Sequence, residues 1–278
     1  MSAVLKAPLA QRAIVLRTRG QRHGPITRLV SPSDIGEIIK PFVFLDLFDI
    51  SASNAPNFGW HPHSGIATLT LLHEGSIEYQ ETTGVKGILP AGGVEWMRAG
   101  AGVWHTGTAL QRAKGFQLWV ALPEALENAP SHSHYLSPEQ VPDHKPARVV
   151  LGSHGSAKSA IASPSPINYL DVELAAGERW TYEPPSDHEV AWLAVSEGVI
   201  RTPELVSAGE FVAFEESTSA ISIQAHHASR FVLGSAAKHQ HDLVLGSHSV
   251  HTSHAALAAG ESQIRRVGNR LAAAGLLR

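Results

Sequence analysis

Two histidines, His61 and His63, flank Pro62, and a third, His105, follows after a run of short β-type segments punctuated by glycine turns. Side chains two residues apart in an extended strand leave by the same face. His61 and His63 can therefore aim two imidazoles into one interior, and a later strand can add His105. Neutral imidazole is a standard ligand for iron, nickel, copper or zinc. Between the histidines, residues 66–72, 76–80, 86–89 and 94–97 read as strands, with turns at His73-Glu74-Gly75, Thr82-Thr83-Gly84 and Ala91-Gly92-Gly93. Short strands with frequent turns point to a β-sandwich or barrel. The chain holds 17 histidines, so an HxH pair carries little by itself.

The strand plan extends in both directions. Residues 13–18, 26–30 and the almost wholly apolar 42–48 come first, and Asp46 inside the last reads as a short structural acid. Residues 116–122 form another strand. A connector bearing Pro and His follows at 123–146, and the domain boundary is expected within it. A second series of strands runs through 147–151, 169–174, 188–196, 198–201, 210–214, 220–224 and 230–234. Residues 72–77 and 90–94 are faintly echoed at 194–200 and 207–211, which implies two related β domains. Residues 253–277 read as an amphipathic packing helix, with a break expected at Gly260 or Gly268.

Composition excludes some classes. With 43% hydrophobic and 17% charged residues over 278 positions, a sizeable core is attainable. A formal charge of −3 gives no support for direct nucleic-acid binding through bulk charge. Cysteine is absent, which rules out disulfides and thiolate ligands and fits a reducing compartment. Residues 1–13 lack a continuous apolar stretch and no membrane-spanning run appears, so a soluble cytoplasmic protein is the default expectation.

Five motifs carry a resemblance: Phe42-Val43-Phe44-Leu45-Asp46, His61-Pro62-His63-Ser64-Gly65, Glu74-Gly75-Ser76-Ile77-Glu78, Gly92-Gly93-Val94-Glu95-Trp96-Met97, and Ala99-Gly100-Ala101-Gly102-Val103-Trp104-His105. With the tail Ser249-Val250-His251-Thr252-Ser253, the chain resembles the pirins, members of the cupin superfamily, over nearly its whole length. The resemblance implies an all-β fold of two cupin barrels of jelly-roll type with a C-terminal helix. The expected division is an N-terminal barrel over 1–130, a connector over 131–146, a degenerate second barrel over 147–250, and the helix over 251–278.

It also implies a metal in the first barrel, held by His61, His63 and His105. Pirins add a Glu two residues after the third histidine, where this chain has Gly107, and a second acidic position four residues after His63 is Ala67. A divalent transition metal is expected, Fe(II) first, with Ni, Cu, Zn or Mn as alternatives, or an empty site. The implied activity is that of a quercetinase-like dioxygenase opening a flavonol or similar enediol-type aromatic. The alternative is a regulatory cupin that binds a protein partner around a weakened site. Trp60 and Trp104 are candidates for the pocket wall, with core packing as the competing role. Glu74, Glu78 and Glu95 are candidate bases without a placement. The pairs His132/His134, His226/His227 and His239/His241 read as surface or hinge residues. His251 and His254 read as packing at the helix start, and His73 as a further ligand only if its strand face agrees with His63.

Overall fold

The structure is a computed structural model that describes residues 12–51 and 59–277. Most of the stretch read for a targeting signal, and the polar loop before Gly59, lie outside the described residues. The architecture is all-β with one C-terminal helix.

The first half forms a nine-stranded sheet. Its order is His132–Leu136, Val94–Arg98, Ile66–Glu81, Val103–Ala121, Phe42–Ser51, Ile26–Val30 and Gln21–His23, with His61–His63 paired to Val103–Ala121 and Lys86–Pro90 to Ile66–Glu81. Two of these strands are longer than the sequence reading. The segments read at 66–72 and 76–80 form one strand, Ile66–Glu81, carried through the Gly75 position by register shifts at Leu72/Glu74 and Gly75/Ile77. Residues 103–105 and 116–121 likewise belong to one strand, Val103–Ala121. A bulge bends a strand without ending it, so a glycine that looks like a turn in sequence works here as a bend within a long ladder.

Strand alternation sorts the side chains. Ala67, Leu69 and Leu71 turn to an apolar layer, while Thr70 turns the other way and bonds to Glu95 and Gln117. The interior of this barrel is therefore polar, and its apolar face is covered by the second half of the chain. There a seven-stranded sheet runs Ile14–Thr18, Phe211–Phe214, Val190–Glu197, Ser229–Ala236, Ile167–Leu174, Ala147–Leu151 and Asp143–His144. A four-stranded sheet, Arg179–Tyr182, Ile221–Ala225, Val199–Thr202 and Glu204–Ser207, closes over it around a second core. Leu45, Leu69 and Leu118 from one half and Tyr169, Trp192 and Phe211 from the other share a single buried layer.

Chain order and sheet membership part company at two places, and the final helix departs from its expected break. Ile14–Thr18 pairs with Phe211–Phe214, so the strand read with the N-terminal barrel lies in the second sheet. Within the connector, His132–Leu136 pairs with Val94–Arg98 of the first sheet. The final helix, His254–Ala273, is unbroken through both glycines. These are sites of close approach: a Cβ on Gly260 would fall 2.5 Å from Ser64 Oγ, and one on Gly268 would fall 2.8 Å from the Trp104 ring. The helix thus docks on the segment that carries the histidine pair.

Gly234 is another close approach, because a Cβ there would sit 2.4 Å from the fully buried Trp192 ring. Overpacking a rigid core costs about 1–3 kcal/mol. Gly234→Ala should therefore lower the unfolding free energy by that amount, read as a lower urea midpoint at unchanged slope, and an unchanged midpoint would mean the ring can move aside.

Candidate metal centre

The strand His61–His63 lies antiparallel to Val103–Ala121 with His61 opposite His105 and His63 opposite Val103. Register thus delivers what local periodicity cannot, the third imidazole beside the first. One candidate ligand atom from each of His61, His63 and His105 lies within 4.8 Å of the others. Ring centroids are 4.3 Å apart for His61 and His105, 5.1 Å for His63 and His105, and 5.2 Å for His61 and His63.

Backbone carbonyls set two of the tautomers. His61 Nδ1–H donates to Gly59 O at 2.9 Å, and His63 Nδ1–H donates to His248 O at 3.1 Å. A carbonyl only accepts, so each proton sits on Nδ1 and each Nε2 keeps its lone pair. His105 Nε2 is buried without a hydrogen-bond partner. Burial first, then the neighbouring His105, lowers the His61 pKa to about 4, and the same causes lower His63 well below its ordinary value. Both rings are therefore neutral at pH 7, the form that binds a cation. Three imidazoles that each bring a candidate ligand atom to one place, with His105 Nε2 buried and unpartnered, fit a divalent transition metal.

Behind His105 stands Glu95, whose Oε1 lies 3.8 Å from His105 Nδ1. Thr70 Oγ1 donates to Glu95 at 2.5 Å and Tyr135 Oη lies 3.2 Å away. Burial would raise the Glu95 pKa, but His105, Thr70 and Tyr135 outweigh it and hold it below the usual carboxylate value. Tyr135 also donates to Glu81 at 2.8 Å, and burial together with the two carboxylates pushes its hydroxyl well above the ordinary range. A carboxylate behind a ligating imidazole orients the ring and raises its basicity.

Of the three unplaced acids, then, Glu95 backs the triad, Glu74 pairs with Arg112 and Lys114 near the surface, and Glu78 is exposed. His73 is not beside the triad; its Nε2 lies 3.2 Å from Asp171 of the other half, off the line of a hydrogen bond. Trp60 is half-buried, and Trp104 anchors the final helix by donating to Ile264 O at 2.9 Å. The aromatic ring against the triad is Trp119, 4.8 Å from His63 and stacked on Phe44. Nothing local in the sequence marks Trp119, because it lies on the same strand as His105 but well beyond it, and only the strand's course through the sheet brings its ring to His63. Asp46 is structural but pairs with Arg28, whose guanidinium also lies over Phe44. His132 and His134 line a separate hollow of about 430 Å³ with Trp96 and Arg98. His251 is buried packing, bonded to Ser64 and Glu127.

Comparison with known proteins agrees with this arrangement. A family model described as Pirin matches residues 25–120. A pirin-like protein of Caulobacter vibrioides is 33% identical over 189 residues, covering 63% of this chain and 67% of that one. A Pseudomonas aeruginosa protein provisionally named as a quercetin 2,3-dioxygenase is 30% identical over 207 residues, covering 65% and 71%.

The chain belongs to the pirin family.

The pirin fold extends across almost the whole chain. A quercetin 2,3-dioxygenase from Acinetobacter baumannii shares it with a TM-score of 0.84 at 22% identity, covering 92% of this chain and 98% of that one. A bacterial pirin from Escherichia coli, solved in complex with nickel(II), shares it with a TM-score of 0.65 at 21% identity, covering 84% and 100%. At these identities the likeness establishes the fold alone. Among the described residues no helix is long and apolar enough to cross a membrane. Gly107, where the sequence resemblance implies a Glu, lies opposite Tyr79 in the ladder.

Proposed function

We propose that His61, His63 and His105 hold a divalent transition metal through their Nε2 atoms, and that the chain is a metal-dependent dioxygenase of quercetinase type. The observation that carries this reading is the convergence of one ligand atom from each histidine, with the Nδ1 sides of His61 and His63 bonded to Gly59 O and His248 O and that of His105 facing the Glu95 carboxylate at 3.8 Å. Fe(II) is the first expectation, with Ni, Cu, Zn or Mn as alternatives; all accept imidazole. Once bound, such an ion supplies Lewis-acid binding of a flavonol-like enediol and redox access to dioxygen. The chain's own contributions are fixed. The carbonyls and Glu95 lock the three rings, Trp119 on Phe44 walls one side against water, and burial keeps the imidazoles neutral. The name of the Pseudomonas relative supports the substrate class.

One observation favours a second reading, a protein-binding cupin with a weakened site. Gly107 cannot offer the carboxylate that would take a proton from the flavonol hydroxyl, and Glu95 sits behind His105 instead. Oxygen uptake with quercetin, on protein loaded in turn with each metal, separates the two. Turnover that follows metal content supports the dioxygenase, whereas a fully loaded protein that consumes no oxygen leaves only the binding role.

The contribution of Glu95 has its own test. Glu95→Gln keeps one acceptor, its amide oxygen, for Thr70, turns its NH2 toward the Tyr135 oxygen, and removes the charge beside His105. Loss of such a partner typically weakens metal binding by about 10–100-fold. Competition with a chelator for Zn(II) should show that drop, with the melting curve of the metal-free protein nearly unmoved.

A further inference from the structure

The C-terminal return crosses the histidine triad in a fixed position. Ser249 pairs in parallel with Ser64, the residue after His63, and Ser64 Oγ donates to Ser249 Oγ at 2.8 Å. Val250 N donates to Ser64 O at 3.3 Å, and His63 donates to His248 O. Gly65 has φ +72°, and a Cβ there would fall 2.0 Å from Val250 O, so only glycine lets the return lie this close. Further along, Thr252 N and Oγ1 each donate to Glu127 at 2.7 Å.

This clamp places one more imidazole beside His63. The His248 ring lies 6.2 Å from the His63 ring, against 5.1 and 5.2 Å for His105 and His61. Measured from His63, its ring is about an ångström farther than the rings already assigned. Its electrostatic influence reaches both His61 and His63. Its side chain is exposed, so it can turn at little packing cost, while its backbone is held by the clamp. The two positions where the family resemblance expects acids, Gly107 and Ala67, leave the first barrel short of a donor. Divalent transition metals of this class seldom settle for three donors from the protein unless the others are water or substrate.

We propose that His248, delivered by the C-terminal return, turns inward as a fourth protein ligand and stands in for the absent acid. This rests on the three-histidine reading above. Neutral imidazole replaces a neutral water, so no proton or electron is exchanged. The donor set becomes four uncharged nitrogens, and the site closes only when the C-terminal return is docked on the first barrel.

The experiment uses the full chain freed of metal. Wild type, His248→Ala and, as a control on an exposed histidine elsewhere, His226→Ala are titrated with Co(II). Their Cu(II) forms are then examined by pulsed electron paramagnetic resonance, which counts coupled imidazoles. The expected result is four imidazoles in wild type and His226→Ala, three in His248→Ala, and a Co(II) affinity lowered by about 10–100-fold in His248→Ala alone. If His248→Ala does not fold, carbethoxylation of wild type decides the matter, since Zn(II) should then shield His248 from the reagent. Three imidazoles in wild type, equal affinity in the variant, or an unshielded His248 overturns the inference and leaves the triad standing. A wild type that takes up no metal overturns the triad as well.

Discussion

His63→Ala is expected to abolish tight metal uptake and, with it, any oxygen consumption with quercetin. The ring is almost fully buried, its Nδ1 is held by His248 O, and Trp119 packs against it at 4.8 Å. Removing a partner behind a ligand costs about 10–100-fold in affinity, so removing the ligand itself should cost at least about 100-fold. Elemental analysis of protein grown with added iron should fall from near one metal per chain towards none. The variant should still fold, because the cavity borders a polar interior and the apolar layer between the two sheets is untouched. A folded His63→Ala protein with wild-type metal content would remove the proposed centre altogether.

The largest expected loss of stability lies at Asp171, away from the histidine triad. Asp171 is buried where the halves meet, and three basic side chains converge on it. Arg230 donates through Nε at 3.0 Å and through its terminal nitrogen at 2.6 Å, Arg148 lies 3.5 Å away, and His73 of the first half lies 3.2 Å away. Burial alone would raise the Asp171 pKa, but His73 and Arg230 reverse this and hold it far below the usual carboxylate value. Breaking one partner of a buried ion pair costs about 3–5 kcal/mol, because the remaining charges stay desolvated and unpaired. Asp171→Asn should lose about that much in urea unfolding at pH 7.

The pH dependence follows from the sign of the shift. A carboxylate with a depressed folded pKa contributes stability that is fully present above its unfolded value, about 3.9, and is lost as pH falls through the folded value. The gap between wild type and Asp171→Asn should therefore hold constant above about pH 5 and narrow below about pH 4. A gap independent of pH down to acid unfolding would mean that the asparagine effect is one of shape and not of charge.

Much of the fold was legible because strand signals are local. The second series of strands falls within a few residues of its expected positions, from Ala147–Leu151 to Ser229–Ala236. The Ala67–Leu71 alternation already separates an apolar face from a polar one. What misled was glycine: at Gly75 it bends a continuous strand, and at Gly260 and Gly268 it admits a neighbour against a continuous helix. In each case the decisive contact comes from residues distant in the chain, which no local pattern encodes.

The candidate site divides along the same line. The sequence by itself determined the pairing of His61 with His63, through the period of a strand, and named His105 through the family motif. It also determined that Gly107 brings no acid. Only the tertiary structure decided that His105 lies opposite His61, that Glu95 stands behind His105, that Trp119 is the ring beside His63, and that His248 arrives from the far end of the chain. Periodicity places side chains on a face of their own element. Which elements share a face depends on ladder register and on the docking of the last strand and helix, and these follow from the free energy of the whole packed molecule.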